Sequence, residues 1–230
     1  MQINGFQKLT LLDYPGKVAC TLFTAGCNFR CPFCHNASLV LSPDMSNGIP
    51  VEEILAYLSK RTGILEGVCI TGGEPLLQRD LPELLQRIKA LGYAIKLDTN
   101  GFFPDKLKEL VQKELVDYVA IDIKNAKDKY AQTVGLSNFD VSKIEESVAF
   151  LLSNQVDYEF RTTIVKELHD VVDIQHIGEW IKGAPRYYLQ NFVDSGELIQ
   201  EGLNPVEMAV LKEMQKAAQM NIPNTMLRGV

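Results

Sequence analysis

The chain has 230 residues, 46% of them hydrophobic and 23% charged, which suits a globular protein with a substantial buried core. A net charge of -6 offers no basic field to a phosphate backbone, and no run of Lys and Arg interleaves with aromatics, so no nucleic acid is expected as a partner. No apolar stretch approaches the roughly 18 residues of a membrane span, and the N-terminal MQINGFQKLT lacks a charged segment leading into an apolar one. The expectation is therefore no membrane and a cytoplasmic protein.

In chain order, the first strand signal is VACTLFTA at 18–25, rich in β-branched and aromatic residues. Directly after it comes AGCNFRCPFCHN, which places Cys27, Cys31 and Cys34 in eight positions. A helix pattern follows at 50–61, with apolar residues recurring at three and four as one buried face requires. Strand signals at 67–71, 93–99, 118–124, 158–165 and 186–192 then alternate with helix patterns at 81–92, 104–115, 141–155 and 171–183, and a helix at 204–220 closes the series. Pro50, Pro82, Pro104 and Pro205 fall near helix starts, while Gly92 and Gly183 fall near helix ends.

Six strand-then-helix units imply a parallel sheet with right-handed crossovers. The expected fold class is α/β, an incomplete (β/α)6 barrel whose chemistry lies on the loops after the strand C-termini. With no repeat or long linker in the sequence, a single domain spans 1–230, and its cysteine loop lies at 26–36.

The spacing CxxxCxxC lets three thiolates converge, and soft thiolates favour zinc, copper(I) or iron-sulfur. In one reading His35, His169 or His176 completes a structural zinc site. Typical zinc motifs instead pair two short clusters. In the other reading the three cysteines hold three irons of a 4Fe-4S cluster and leave the fourth iron open. Cys20 and Cys69 sit in strand-like runs, where cysteine acts as a small core residue.

CxxxCxxC with Phe33 before its last cysteine, followed by TGGEP at 71–75, resembles the radical S-adenosylmethionine superfamily. That resemblance implies a 4Fe-4S cluster on Cys27, Cys31 and Cys34, with S-adenosylmethionine on the unique iron. Gly72, Gly73 and Glu74 would meet the methionine amino end, and Phe33 would lie near the adenine. Reductive cleavage would give methionine and a 5'-deoxyadenosyl radical. The cofactor supplies this chemistry while the protein positions it.

A finer resemblance, carried by LLDYPGKVACTLFTAGCNFRCPFCHN, TGGEPLLQ, LDTNGFFP and YVAIDIK, is to glycyl radical enzyme activating enzymes. Within them the chain looks most like the longer form of the group that serves anaerobic ribonucleoside-triphosphate reductase. The resemblance implies that Lys124 approaches the methionine carboxylate and that Asp98, Thr99 and Asp122 match a monovalent-cation site. Asp122 and Lys124 share a strand face between Ile121 and Ile123, and an inward charged pair needs a partner or a ligand. Arg161 is placed either to contact the carboxylate or ribose or to form a structural salt bridge. No cysteine lies between Cys34 and Cys69, so a single cluster is expected. No side-chain base is required.

The expected partners are a glycyl radical enzyme, most of all the anaerobic reductase, and a flavodoxin or ferredoxin as reductant. Alternatives are activation of a formate-lyase relative, a radical enzyme acting on a small molecule, and a zinc-binding module. Trp180, the aromatics of RYYLQNF, and Met208, Met214 and Met220 read as packing residues, while Glu109 with Lys113 reads as a solvated pair.

Overall fold

The β-rich runs fold as strands because their branched side chains fit a sheet buried on both faces. A computed structural model describes residues 3–42 and 48–229. Among them run eight strands: β1 Ile3–Thr10, β2 Ala19–Thr24, β3 Gly67–Gly72, β4 Ala94–Thr99, β5 Tyr118–Asp122, β6 Asp157–Ile164, β7 Tyr187–Asn191 and β8 Thr225–Arg228. All eight form one sheet in sequence order, antiparallel between β1 and β2 and parallel from β2 onward. β1 and β8 are its two edges, so the barrel is incomplete, as expected.

Two strands exceed the expected six. Among the strands β1 pairs only with β2, apart from one isolated bridge from Ile3 to Ile49, and carries two register shifts, so its exposed Gln7, Lys8 and Leu9 do not form an apolar run. β8 is four residues long, too short for an alternating pattern.

The helices are α1 Ala37–Leu41, α2 Val51–Ser59, α3 Leu81–Ala90, α4 Pro104–Gln112, α5 Tyr130–Thr133, α6 Ser142–Leu152, α7 Val171–Trp180 and α8 Met208–Gln219. α3 buries Leu81, Leu84, Leu85 and Ile88, and α4 buries Leu107, Leu110 and Val111, the stripes their spacing implies. Each such side chain contributes about 1.5–3 kcal/mol when removed from water. α7 opens with a capping box between Asp170 and Asp173.

The last helix starts at Met208, later than its apolar pattern suggests. Asn204 gives its N–H and its amide to Glu167, and Val206 exchanges two bonds with the Asn191 amide, so this backbone is committed elsewhere. Of the three methionines, only Met214 is core; Met208 is exposed and Met220 lies past the helix end with 83% of its surface open. Cys20 and Cys69 are fully buried, as expected of core cysteines. Among the described residues no helix is long and apolar enough to cross a membrane.

Register decides what the sheet presents at the C-terminal ends of its parallel strands. Thr24 lies opposite Gly72, Thr99 opposite Ile121, and Asp122 opposite Arg161. The loops leaving β2, β3, β4 and β5 therefore meet at one rim.

Candidate functional site

The loop after β2 is held in shape by its own backbone and by its neighbours. Gly26 has φ +83 and donates its N–H to Leu39 O, and the Cys34 N–H bonds Cys31 O to make a tight turn between two of the cysteines. The Arg30 N–H bonds Val134 O at 2.9 Å, and the Arg30 guanidinium folds back onto Cys27 O and Phe29 O. Phe29 is buried edge-on against Phe102 and Phe139.

The loop after β3 is laced to this one. The Gly73 N–H bonds Thr24 O at 2.9 Å and the Glu74 N–H bonds Gly26 O at 2.8 Å, while the side chains of Asn36 and Gln78 bond Gly72 O and Ala25 O. Gly72 has φ +113, and a Cβ on it would stand 2.4 Å from Thr24 N. Neither glycine can carry a side chain without moving the adjoining strand or loop.

Between these loops and the ends of β4 and β5 lies a cavity of about 170 Å³. Cys27, Cys31 and Cys34 all line it, as do Phe33, Gly72, Gly73, Asp98, Thr99, Asp122 and Lys124. His35, the candidate zinc ligand next to Cys34, lines it too, as do Asn100, Asn36 and Thr163, to which sequence patterns assigned no contact. All five cysteines are free thiols, and among the described residues no three His, Cys, Asp or Glu side chains converge closely enough for one metal ion. The three thiols instead stand around the cavity wall.

Two expected contacts lie behind that wall. Glu74 is fully buried, and its carboxylate accepts hydrogen bonds from Leu76 N–H at 3.0 Å, the Thr99 hydroxyl at 2.7 Å and Asn100 N–H at 2.7 Å. It ties the β3 loop to the β4 loop. Arg161 bridges Asp98 and Asp122, donating to each at 2.8 Å, and this is the salt-bridge alternative of its two expected roles. Lys96, itself buried, pairs with Asp98 from the other side, and Lys124 Nζ lies 3.1 Å from Asp122. An alternating row thus runs beneath the cavity, Lys96, Asp98, Arg161, Asp122, Lys124, of which Asp98, Asp122 and Lys124 reach its lining.

Electrostatics follow from that row. Burial raises the carboxyls of Asp98 and Asp122, but Arg161 with Lys96 or Lys124 holds both below their ordinary value, so both are ionised. Burial lowers the Lys124 ammonium, yet Asp122 and the Cys31 thiol hold it above its ordinary value. Lys124 also lies 5.9 Å from the Phe33 ring centroid, which places one cation beside the aromatic wall. Burial pushes the Cys31 thiol up to about 12 and raises Cys27 as well. Such thiols ionise when a metal charge arrives, and metal binding then releases their protons.

Two of the three histidines lie away from the cysteines. His169 is buried with both ring nitrogens on backbone groups, Val165 N–H and Lys124 O, and His176 is exposed on α7. Only His35 reaches the cavity, where its ring lies near Phe192. The cavity therefore offers three thiols, the His35 ring, the Asp98 and Asp122 carboxylates, the Lys124 cation and open backbone at two glycines. That set fits a thiolate-bound cluster together with a ligand that brings its own amino and carboxylate groups.

Comparison with known proteins agrees with this chemistry. The sequence matches the Radical SAM superfamily over residues 21–176. It is 33% identical to a Methanocaldococcus jannaschii protein named as a candidate glycyl-radical enzyme activating enzyme, over 99% of this chain and 96% of that one. A second protein of that organism, named in the same way, is 29% identical over 70% of this chain and 62% of its own. Among solved structures, SuiB of Streptococcus suis bound to S-adenosylmethionine superposes with a TM-score of 0.70 at 16% identity, covering 91% of this chain and 52% of that one.

Proposed function

The chain belongs to the radical S-adenosylmethionine superfamily, and from that premise we propose that it activates anaerobic ribonucleoside-triphosphate reductase by installing a glycyl radical. It is a radical enzyme that uses a 4Fe-4S cluster and S-adenosylmethionine. The observation that carries the activating role is near end-to-end similarity to a protein named as a candidate glycyl-radical enzyme activating enzyme.

In this reading Cys27, Cys31 and Cys34 hold the cluster at the mouth of β2. The backbone of Gly72 and Gly73 receives the methionine amino group, and Lys124 receives its carboxylate beside Phe33. The Glu74 carboxylate, bonded to Leu76 N–H, Thr99 and Asn100 N–H, braces the β3 loop against the β4 loop from behind, and Arg161 keeps Asp98 and Asp122 charged and in place. A monovalent cation at Asp98, Thr99 and Asp122 would share its carboxylates with Arg161 and Lys124. When bound, the cluster would supply one electron for reductive cleavage of S-adenosylmethionine, and the 5'-deoxyadenosyl radical so released would take a hydrogen atom from the partner's glycine. The electron comes from a flavodoxin or ferredoxin.

Mixing the reduced, reconstituted protein with S-adenosylmethionine and the reductase tests the proposal by electron paramagnetic resonance. A glycyl radical on the reductase is expected. A signal only with a formate-lyase relative moves the activity to that partner. Many turnovers of deoxyadenosine on a metabolite, without a protein radical, replace the activating role with small-molecule chemistry.

A further inference from the structure

Asn100 follows β4 and is nearly buried. Each polar group of its side chain is engaged: Oδ1 accepts from Phe102 N–H at 3.0 Å, and Nδ2 donates to Asn28 Oδ1 at 2.8 Å and reaches Cys27 Sγ at 3.8 Å. Its backbone N–H is fixed by Glu74. Flipping the amide would set an NH2 group against the Phe102 N–H and an oxygen against the Cys27 sulfur, so the network determines which end faces the cysteine.

We infer that Asn100 is a positioning residue for the cluster: its carboxamide, held by Phe102 N–H and Asn28 on a backbone that Glu74 fixes, donates to the Cys27 sulfur and raises the potential at which the cluster accepts its electron. The inference rests on Cys27 binding the cluster. Reduction adds one electron and breaks no bond in the protein, and the added negative charge spreads onto the cysteine sulfurs. A fixed N–H dipole stabilises that state more than the oxidised one, which is how hydrogen bonds to sulfur set iron-sulfur potentials. The Phe29 N–H, 3.4 Å from the same sulfur, acts in the same sense but is backbone and survives any side-chain change. Asn100 is the adjustable donor. Its second acceptor, Asn28, lies next to Cys27 in the chain and aims the amide at the sulfur.

The test compares the parent protein with Asn100→Ala and Asn28→Ala, each reconstituted anaerobically and assayed for iron and sulfide. Midpoint potentials follow from dithionite titration monitored by electron paramagnetic resonance. Asn100→Ala with about four irons per chain is expected to shift its reduction equilibrium roughly tenfold toward the oxidised form, about 59 mV for one electron. Asn28→Ala keeps the donor but loses the group that aims it, so it shifts in the same direction by less. A fully loaded Asn100→Ala with the parent's potential, or a higher one, overturns the inference. If that variant holds no iron, an unchanged potential in Asn28→Ala overturns it instead. A parent that takes up no iron overturns the cluster reading itself, and this inference with it.

Discussion

A Cβ on Gly73 would stand 2.0 Å from the carbonyl oxygen of Gly26, so the loop after β3 and the cysteine loop touch through bare backbone. Gly73→Ala must therefore push the two loops apart. Overpacking of this kind costs about 1–3 kcal/mol, and affinity for S-adenosylmethionine should fall at least about tenfold, or 1.4 kcal/mol. Gly63→Ala is the control, since Gly63 has φ +79 but open space around it. It should cost about 1–2 kcal/mol of stability and leave affinity unchanged. Equal affinity losses in both would show that the Gly73 contact has no special role.

Lys124→Met keeps most of the side chain's bulk and removes its charge. Asp122 retains Arg161 as partner, so the fold should hold. Loss of a charge-assisted contact to a carboxylate is expected to weaken S-adenosylmethionine binding by about 1.5–3 kcal/mol, with iron content unchanged. Equilibrium binding to the anaerobically reconstituted protein measures this. An affinity within twofold of the parent removes Lys124 from the carboxylate's side.

Arg161→Met would leave Asp98 and Asp122 without the guanidinium they share. Breaking a buried pair from one side costs about 3–5 kcal/mol. Adding Asp122→Asn removes one of the stranded charges, so the double variant should be more stable than Arg161→Met alone. Urea unfolding of the single and double variants gives the coupling, and simple additivity would argue against a shared network.

Glu74 gives the protein a pH signature. Burial, opposed by hydrogen bonds from Asn100, Thr99 and Leu76, pushes its carboxyl up from an ordinary 4.5 to about 7. The folded state then binds this proton more tightly than the unfolded state does. Its contribution is fully present below about pH 4.5 and is lost as pH rises through about 7, a total on the order of 3 kcal/mol. Glu74→Gln has no proton to release, so its urea midpoints should be flatter than the parent's between about pH 5 and about pH 7. Parallel profiles in the apoproteins would show that Glu74 does not titrate in this range.

What was legible in the sequence divides along physical lines. The six central strands and the long helices were legible because burial on two faces, or on one helical stripe, forces a local apolar pattern. β1 was not, since an edge strand with exposed Gln7, Lys8 and Leu9 is under no such constraint. In the site, Phe33, Asp122, Lys124 and the two glycines line the cavity, whereas Glu74 and Arg161 lie behind it. Strand alternation gives no guide at Glu74, because the chain turns into a short 3-10 helix there. Asn100 shows the limit most clearly. Its turn to Phe102 follows from the local DTNG pattern, but its contact with Cys27 joins positions 73 residues apart, which no local spacing encodes.

Because each strand pairs with its neighbour in sequence, the sheet can assemble in the order of synthesis, each parallel pairing waiting for its own crossover to be made. The cysteine loop leaves the ribosome directly after β2, while Lys124 follows about 90 residues later. At cellular elongation rates that interval is roughly 5–20 s. For that time the nascent chain carries three reactive thiols without the walls that will enclose them, so cluster insertion belongs after β5 is made, and the exposed interval is when oxidants have their easiest access to this protein.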